Sequence, residues 1–300
     1  MIDSTALRAF AAFAEDANLS RTARRLHLSQ PAVHAQLKRL SEALGVPLYE
    51  RAGRGLVLTR EGVEVAAFAR DAEERARDLV ARLRGEGEAR RVVLAAGAGA
   101  LLHVLGEGLR AFARAYEGRL DIVTADGAAA VDAVARGVAH VGVTAAHEAR
   151  TWSDLEEHRL TEVGQVLVVP RDHRLASRRR VTLADLEGER LVMPPEGRPQ
   201  RAALDAAFAA RGVKVNAGAL ATGWELVLRL VELGAGVAVV NGSVRVPREL
   251  VSKPLRELPR IRYVALTRRR PRADAAALVD ALSRNLRSAS SSARSSSVAR

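Results

Sequence analysis

The sequence predicts two architectures in series: an all-α N-terminal unit closed by a β-hairpin, and a larger two-lobed α/β unit behind it. Three observations carry that expectation. From Ser4 to Leu44 the apolar residues recur at helical spacing in three short segments. Residues 46–59, VPLYERAGRGLVLT, set aromatic and β-branched residues around a Gly-Arg-Gly turn, as in a short hairpin or wing. From Val92 onward, apolar runs such as VVLAAG, LDIVTA, VAHVGVTA, GQVLVVP, GVAVVNG and IRYVALT alternate with helical stretches, the pattern of α/β folds with mainly parallel sheets.

Each element has a local reason. The three N-terminal helices are expected to open on hydroxyls that can cap them: Ser4, Ser20 and Ser29. Residues 60–84 hold no glycine after Gly62 and no proline, and Val65, Phe68, Ala72, Ala76, Leu79 and Leu83 fall on one helical stripe. So narrow an apolar stripe reads as a dimerisation surface, a long helix pairing with its copy. GEGEARR, Gly85 to Arg91, should break that helix as a hinge, and SASSSARSSSVAR, Ser288 to Arg300, lacks apolar periodicity and is expected to be disordered. The expected boundaries are 1–60 for the helical unit, 61–90 for linker helix and hinge, 91–287 for the α/β unit and 288–300 for the tail. Within the α/β unit, the first lobe takes about 91–163 and 265–287 and the second about 164–264.

Composition narrows the function classes. A chain of 300 residues exceeds one ordinary core, and its 48% hydrophobic content is that of a globular protein with no apolar run long enough to span a bilayer. The start, MIDSTALRAFAAFAED, lacks the basic onset of a secretory signal, so a cytoplasmic location is expected. Zero cysteines exclude disulfides and thiolate metal sites. The net charge of +12 is uneven: +4 over residues 1–60, −2 over 61–90, balanced over 91–244 and +10 over 245–300. Charge alone therefore does not carry a nucleic-acid assignment.

The local signal that does is Leu19 to Gly45, LSRTARRLHLSQPAVHAQLKRLSEALG. Ala23, Leu26, Leu28, Val33, Leu37 and Leu40 have the spacing of two helices crossing at a tight turn. Ser29 can cap the second helix and Pro31 is tolerated in its first turn. That end is expected to enter the major groove of double-stranded DNA, with Gln30, His34 and Ala35 reaching base edges. Arg21, Thr22, Ser29, Lys38, Arg51, Arg54 and Thr59 are placed for phosphates or, from the wing, the minor groove. Any single arginine in this set could equally be a solvated surface residue; the ordered ensemble of helices, hairpin and dimerising helix favours DNA.

With those residues in view, the sequence resembles the LysR-type transcriptional regulators. The resemblance rests on SRTARRLHLSQPAVHAQLKRLSEALGVPLYERAGRGLVLTREG and then LVVPRDHRLA, VTLADLEGERLV and ELVLRLVELGAGVAVV, and covers about residues 1–286. It implies a winged helix-turn-helix that binds operator DNA, a linker helix pairing protomers, and a two-subdomain effector domain similar to periplasmic binding proteins. Such chains assemble as homodimers or homotetramers, and a small-molecule effector lies between the subdomains. The family often has serine where this chain carries His34.

In a two-lobed sensor, ligand is expected at strand ends and helix starts where the lobes meet. Gly97-Ala98-Gly99-Ala100 follows a strand, but Leu102 stands at the third position of a dinucleotide fingerprint, so no cofactor is expected. Relatives commonly carry a hydroxyl here; this chain offers Ala98 and Ala100. Effector candidates are therefore Gly99, Ala100, Thr144, Arg198, Gln200, Trp224 and Asn241. Trp224 offers a flat apolar wall with one donor, within a capping-box pattern from Thr222 to Glu225, although core filling would explain it as well. An enzyme is disfavoured: there is no GxSxG, HEAR at 147–150 is not HExxH, and the seven histidines are scattered. A solute-binding protein would not carry the helix-turn-helix, whereas a regulator working without a ligand stays open. RRRPR, Arg268 to Arg272, reads as a solvated strand end.

Overall fold

The computed structural model describes residues 3–53, 55–83, 91–146, 152 and 155–298. Its N-terminal unit consists of α1 (Ser4–Phe13), α2 (Leu19–Leu26), α3 (Gln30–Leu44) and the antiparallel hairpin of β1 (Tyr49–Ala52) and β2 (Gly55–Leu58). Ser29 caps α3 by accepting from the Ala32 amide. The other two caps lie earlier in the chain than the hydroxyls suggest: Asp3 accepts from the Thr5 amide and Asn18 from the Arg21 amide. Asp and Asn cap as well as Ser, so the first such side chain reached sets the helix start. Phe10, Phe13, Val33, Leu37, Leu40 and Leu48 close the core. Burying each of these large side chains contributes roughly 1.5–3 kcal/mol. Leu28 is not among them; it sits in the turn after α2, 42% exposed.

The linker helix α4 (Arg60–Leu83) packs its first half on α1, with Ala66 buried in the helical core, and turns Ala67 toward Gly137 after α7. The expected hinge from Gly85 to Arg90 lies outside the described residues, and Arg91 already opens β3.

The α/β unit forms two lobes, each around a five-stranded sheet. The first lobe holds β3 (Arg91–Ala96), α5 (Ala98–His103), α6 (Gly106–Ala115), β4 (Arg119–Thr124), α7 (Gly127–Ala135), β5 (Val141–Ala146) and β6 (Leu155–Val163). The second holds β7 (Gln165–Pro170), β8 (Arg190–Met193), α8 (Pro199–Ala209), β9 (Asn216–Leu220), α9 (Trp224–Glu232), β10 (Val237–Asn241) and β11 (Leu250–Pro254). The chain then returns to the first lobe as β12 (Ile261–Arg268) and α10 (Ala273–Val298). Strand orders are β4-β3-β5-β12-β6 and β11-β7-β10-β8-β9. Apolar clusters cover both faces of each sheet.

Three expectations change here. Each sheet mixes two parallel with two antiparallel pairings instead of being mainly parallel, because β7 and β12 enter each sheet directly from the other lobe and run against its parallel set. The return to the first lobe begins at Ile261, slightly before the boundary read from the sequence. Finally, α10 continues through Val298, since Ala, Ser and Arg present no glycine or proline to stop it.

RRRPR is also not a free strand end. Arg268 donates from Nη1 to the Ala67 carbonyl of α4 at 3.1 Å and pairs through Nη2 with Asp71. Arg136, the C-cap of α7, donates from Nη2 to the carbonyls of Ala14 at 2.9 Å and Glu15 at 3.2 Å, just past α1. Arg70 of α4 donates in turn to the Arg136 carbonyl. The close seat of α7 on α4 needs Gly137: at φ +70°, a β-carbon there would stand 3.2 Å from the Ala67 Cα. Arg268→Ala leaves the part-buried Asp71 without this partner, so a loss of about 2 kcal/mol is expected. Thermal unfolding checks it, with the exposed Arg284→Ala expected to change stability by under about 0.5 kcal/mol.

Candidate nucleic-acid interface and interlobe cleft

The exposed face of α3 assembles most of the expected reading residues. Gln30, Pro31, His34, Ala35 and Lys38 are all exposed, beginning at the first turn of a helix whose cap, Ser29, is itself at the surface. Ser20 Oγ donates to Gln30 Oε1 at 3.1 Å, which ties the first helix of the pair to the start of the second and orients the Gln30 amide. The turn between them closes at His27, which is left-handed at φ 54°, and the Leu28 amide donates to the Ala23 carbonyl at 2.9 Å. Arg21 pairs with Asp16 at 3.3 Å and Lys38 with Glu42 at 3.7 Å, and the two cations are themselves 65% and 67% exposed, so neither is withdrawn from solvent.

Two of the expected phosphate contacts are placed otherwise. Thr22 is fully buried, and its hydroxyl donates to the Asn18 carbonyl at 2.8 Å, so it cannot reach a phosphate. The Thr59 hydroxyl donates to the Pro47 carbonyl at 2.7 Å and accepts from the Gly62 amide at 3.0 Å, fastening the wing to the start of α4. Arg51 is exposed on β1; Arg54 lies outside the described residues. Along α4, Phe68, Leu79 and Leu83 are exposed at 57%, 47% and 78%, joined by Val80, whereas Val65 packs inward on the helical core. Ala72 is half-buried on the same helix.

Between the lobes, the two halves of the cleft touch through side chains. A β-carbon built on Gly99, at the start of α5, would stand 2.7 Å from both Cδ1 and Nε1 of Trp224, the first residue of α9. Next to that contact, His103 Nε2 lies 2.7 Å from Glu225 Oε1. Arg198, at the start of α8, reaches Asp126 Oδ2 at 3.2 Å. The Ala129 amide and then the Arg198 guanidinium hold the Asp126 carboxyl below the usual carboxylate range. The Arg198–Asp126 pair is about half exposed at both ends, 49% and 56%, and contributes about 0–1 kcal/mol, whereas beside the open Glu225 His103 is only 13% exposed.

The remaining cleft candidates are engaged within the protein. Ala100, within α5, faces the core of the first lobe. Thr144, inside β5, is buried with its hydroxyl against Gly127, where a β-carbon would come within 2.4 Å. Gln200 Nε2 donates to the Val239 carbonyl at 3.4 Å. Asn241, 1% exposed, donates from Nδ2 to the Tyr263 hydroxyl across the lobes at 2.7 Å and accepts from the Ser243 amide and hydroxyl through Oδ1. Burial pushes the Tyr263 hydroxyl above its ordinary pKa. Gly223 stands at the N-cap of α9 without a side-chain bond, so the capping box expected from Thr222 and Glu225 does not form; Glu225 turns to His103 instead. His103, Asp126 and Tyr263 were not singled out in the sequence, and Glu225 was read only as part of a capping box, because their partners lie 72 or more residues away, or 22 away across the hinge. A polar residue one turn beyond Gly99 is the only local signal for His103.

Residues 4–63 match the bacterial regulatory helix-turn-helix protein, lysR family, and residues 85–287 match the LysR substrate binding domain. The RuBisCO operon transcriptional regulator of Allochromatium vinosum is 31% identical over 245 residues, 78% of this chain and 78% of that protein. Full-length OxyR of Pseudomonas aeruginosa has a similar fold, with a TM-score of 0.67 at 20% identity over 94% of this chain and 95% of its own. Full-length CbnR, solved with its target DNA, has a TM-score of 0.58 at 23% identity over 95% and 100% of the two chains. Among the described residues, no helix is long and apolar enough to cross a membrane.

Two substitutions test how the reading surface is held. Asn18→Ala removes the α2 cap and should cost about 1 kcal/mol. His27→Gly relieves the left-handed turn residue and should stabilise by up to about 1 kcal/mol. Urea unfolding of the two variants, expected to move in opposite directions, checks both.

Proposed function

This chain belongs to the LysR family of bacterial helix-turn-helix regulators, and we propose that α3 and the wing read its operator while a small molecule acting between the lobes controls the outcome. It is a DNA-binding transcription regulator with a substrate-binding domain. The observation that carries the detailed reading is the continuous exposed run Gln30, Pro31, His34, Ala35 and Lys38 on a helix pinned at its start by Ser20 and Ser29. Gln30 pairs well with adenine through its two-edged amide, and Ala35 leaves room for a thymine methyl. His34 joins them at the groove floor. Arg21, Lys38 and Arg51 supply phosphate contacts, and the Ser29-capped helix start adds its backbone amides. Arg54, between Gly53 and Gly55 in the sequence, belongs with them by sequence alone. Thr22 and Thr59 act through the framework.

LysR regulators form oligomers, and two surfaces of this chain support self-association. The first is Phe68, Leu79, Val80 and Leu83 on α4, a stripe that one copy cannot cover. The second is the pair of sheet edges, β4 and β9, which expose Ile122, Val123 and Leu220. A dimer through α4 places two α3 helices for successive major grooves and calls for operators with dyad symmetry. The effector site lies between Gly99 and Asp126 on one side and Arg198 and Trp224 on the other. A regulator that needs no ligand is the second reading, favoured by the direct closure of Trp224 on Gly99.

Footprinting of the upstream region is expected to show a protected inverted repeat; a protected site without dyad character overturns the paired-head arrangement. Gln30→Ala should relax base preference, whereas Lys38→Ala should weaken all sites about equally and reduce the salt slope by about one. Equal behaviour of the two variants in retention assays overturns the division of roles. Leu83→Asp, placing a charge on the exposed stripe, should shift the sedimentation coefficient toward smaller species and weaken operator retention more than tenfold, a loss of about 1.4 kcal/mol or more.

A further inference from the structure

Glycine and tryptophan meet across the cleft in a way that neither lobe requires for itself. Trp224 is only half-buried, and it rests partly on the apolar cluster of the second lobe around Val227, Leu228 and Val231. Its indole edge extends across to the backbone of Gly99 in the first lobe. Any residue but glycine at position 99 would put its β-carbon 2.7 Å from two atoms of that ring, well inside contact distance. The flanking residues, Ala98 and Ala100, also carry no side chain beyond Cβ. One lobe thus presents a small-residue seat and the other a flat ring that fills it. Polar ties close beside the ring: His103 with Glu225, the residue after the tryptophan, and Arg198 with Asp126 farther along the lobes. The Arg198–Asp126 tie is exposed and Glu225 is open to solvent, so a ligand can compete with the polar part of the closure.

We propose that Trp224 is the resting occupant of this cleft, and that the site takes a planar aromatic molecule of about indole size, which displaces the ring from Gly99 and occupies its place. The proposal rests on the reading of the cleft as the effector site and specifies its chemistry. The ring surface left between Gly99 and the second lobe is flat and apolar, with the Glu225–His103 pair beside it, so a ligand matches it with an aromatic body and a polar edge. Closure then needs no ligand, and opening is what the ligand drives by its preference for the cleft without the indole.

Free indole is the probe, with full-length Trp224→Ala. Removing the side chain should let millimolar indole raise the melting temperature by about 3 °C or more, while the native chain, its seat already filled, responds by less than a third of that. Equal shifts for both proteins, or none for the variant, overturn the proposal. If Trp224→Ala does not fold, Gly99→Ser in a Trp152→Phe background gives an independent reading. The serine side chain forces the indole from its seat, and the emission of Trp224, the single remaining tryptophan, should move to longer wavelength. Unmoved emission overturns the proposal. Operator retention of each variant separates the two levels. Indole rescue without any change in retention leaves Trp224 as occupant and removes the regulatory reading of the cleft. Loss of retention by the native chain strikes the DNA reading alone.

Discussion

Backbone carbonyls that helices and turns leave without donors must find them elsewhere, and in this protein guanidinium groups from distant segments supply them. Arg25 donates to the Ala12 carbonyl inside the head, and Arg136 covers Ala14 and Glu15 from the first lobe of the α/β unit. Arg70 covers Arg136, while Arg268 adds a second donor to Ala67, a carbonyl inside the linker helix. The head, linker and first lobe are thereby held by charged donors on carbonyls, a stronger class of hydrogen bond than neutral pairs. Burial, and after it the neighbouring Arg136, pushes the Arg70 guanidinium below its ordinary pKa, the electrostatic cost of packing like charges at one joint.

One helix connects this joint to the cleft. The cap of α7 at its start is Asp126, tied across the lobes to Arg198; the cap at its end is Arg136, lodged on the carbonyls after α1. Nine residues of helix span about 13 Å, so an interlobe contact and a contact on the reading head lie on the same rigid element. The energies at the two ends differ. The cleft end is an exposed ion pair, whereas Arg136 and Arg70 are partly buried, and atoms Arg136 Nε and Arg70 Nη2 have no hydrogen-bond partner there.

Periodicity made most of the architecture legible. Val33, Leu37 and Leu40 bury as their spacing requires, the hairpin forms around Gly53, and the alternation after Val92 resolves into two sheets. What misled was competition between equivalent local signals. Ser4 and Ser20 are good caps, but Asp3 and Asn18 come first. Thr222 and Glu225 have capping-box spacing, yet a histidine on the other lobe draws Glu225 away. Thr22 has the polarity of a phosphate ligand and the helical phase of a buried residue, and phase prevailed.

By itself, then, the sequence determined the elements, their order and the face of α3 that is open to solvent, because helical period and caps act within a few residues. Tertiary structure alone decided which polar groups meet: Asn241 with Tyr263, His103 with Glu225, Arg268 with Asp71, and the indole of Trp224 with Gly99. Those meetings depend on how the two chain crossings orient one lobe against the other and on where the linker helix seats. No spacing along the chain encodes them, since the partners are brought together only after the apolar cores have formed.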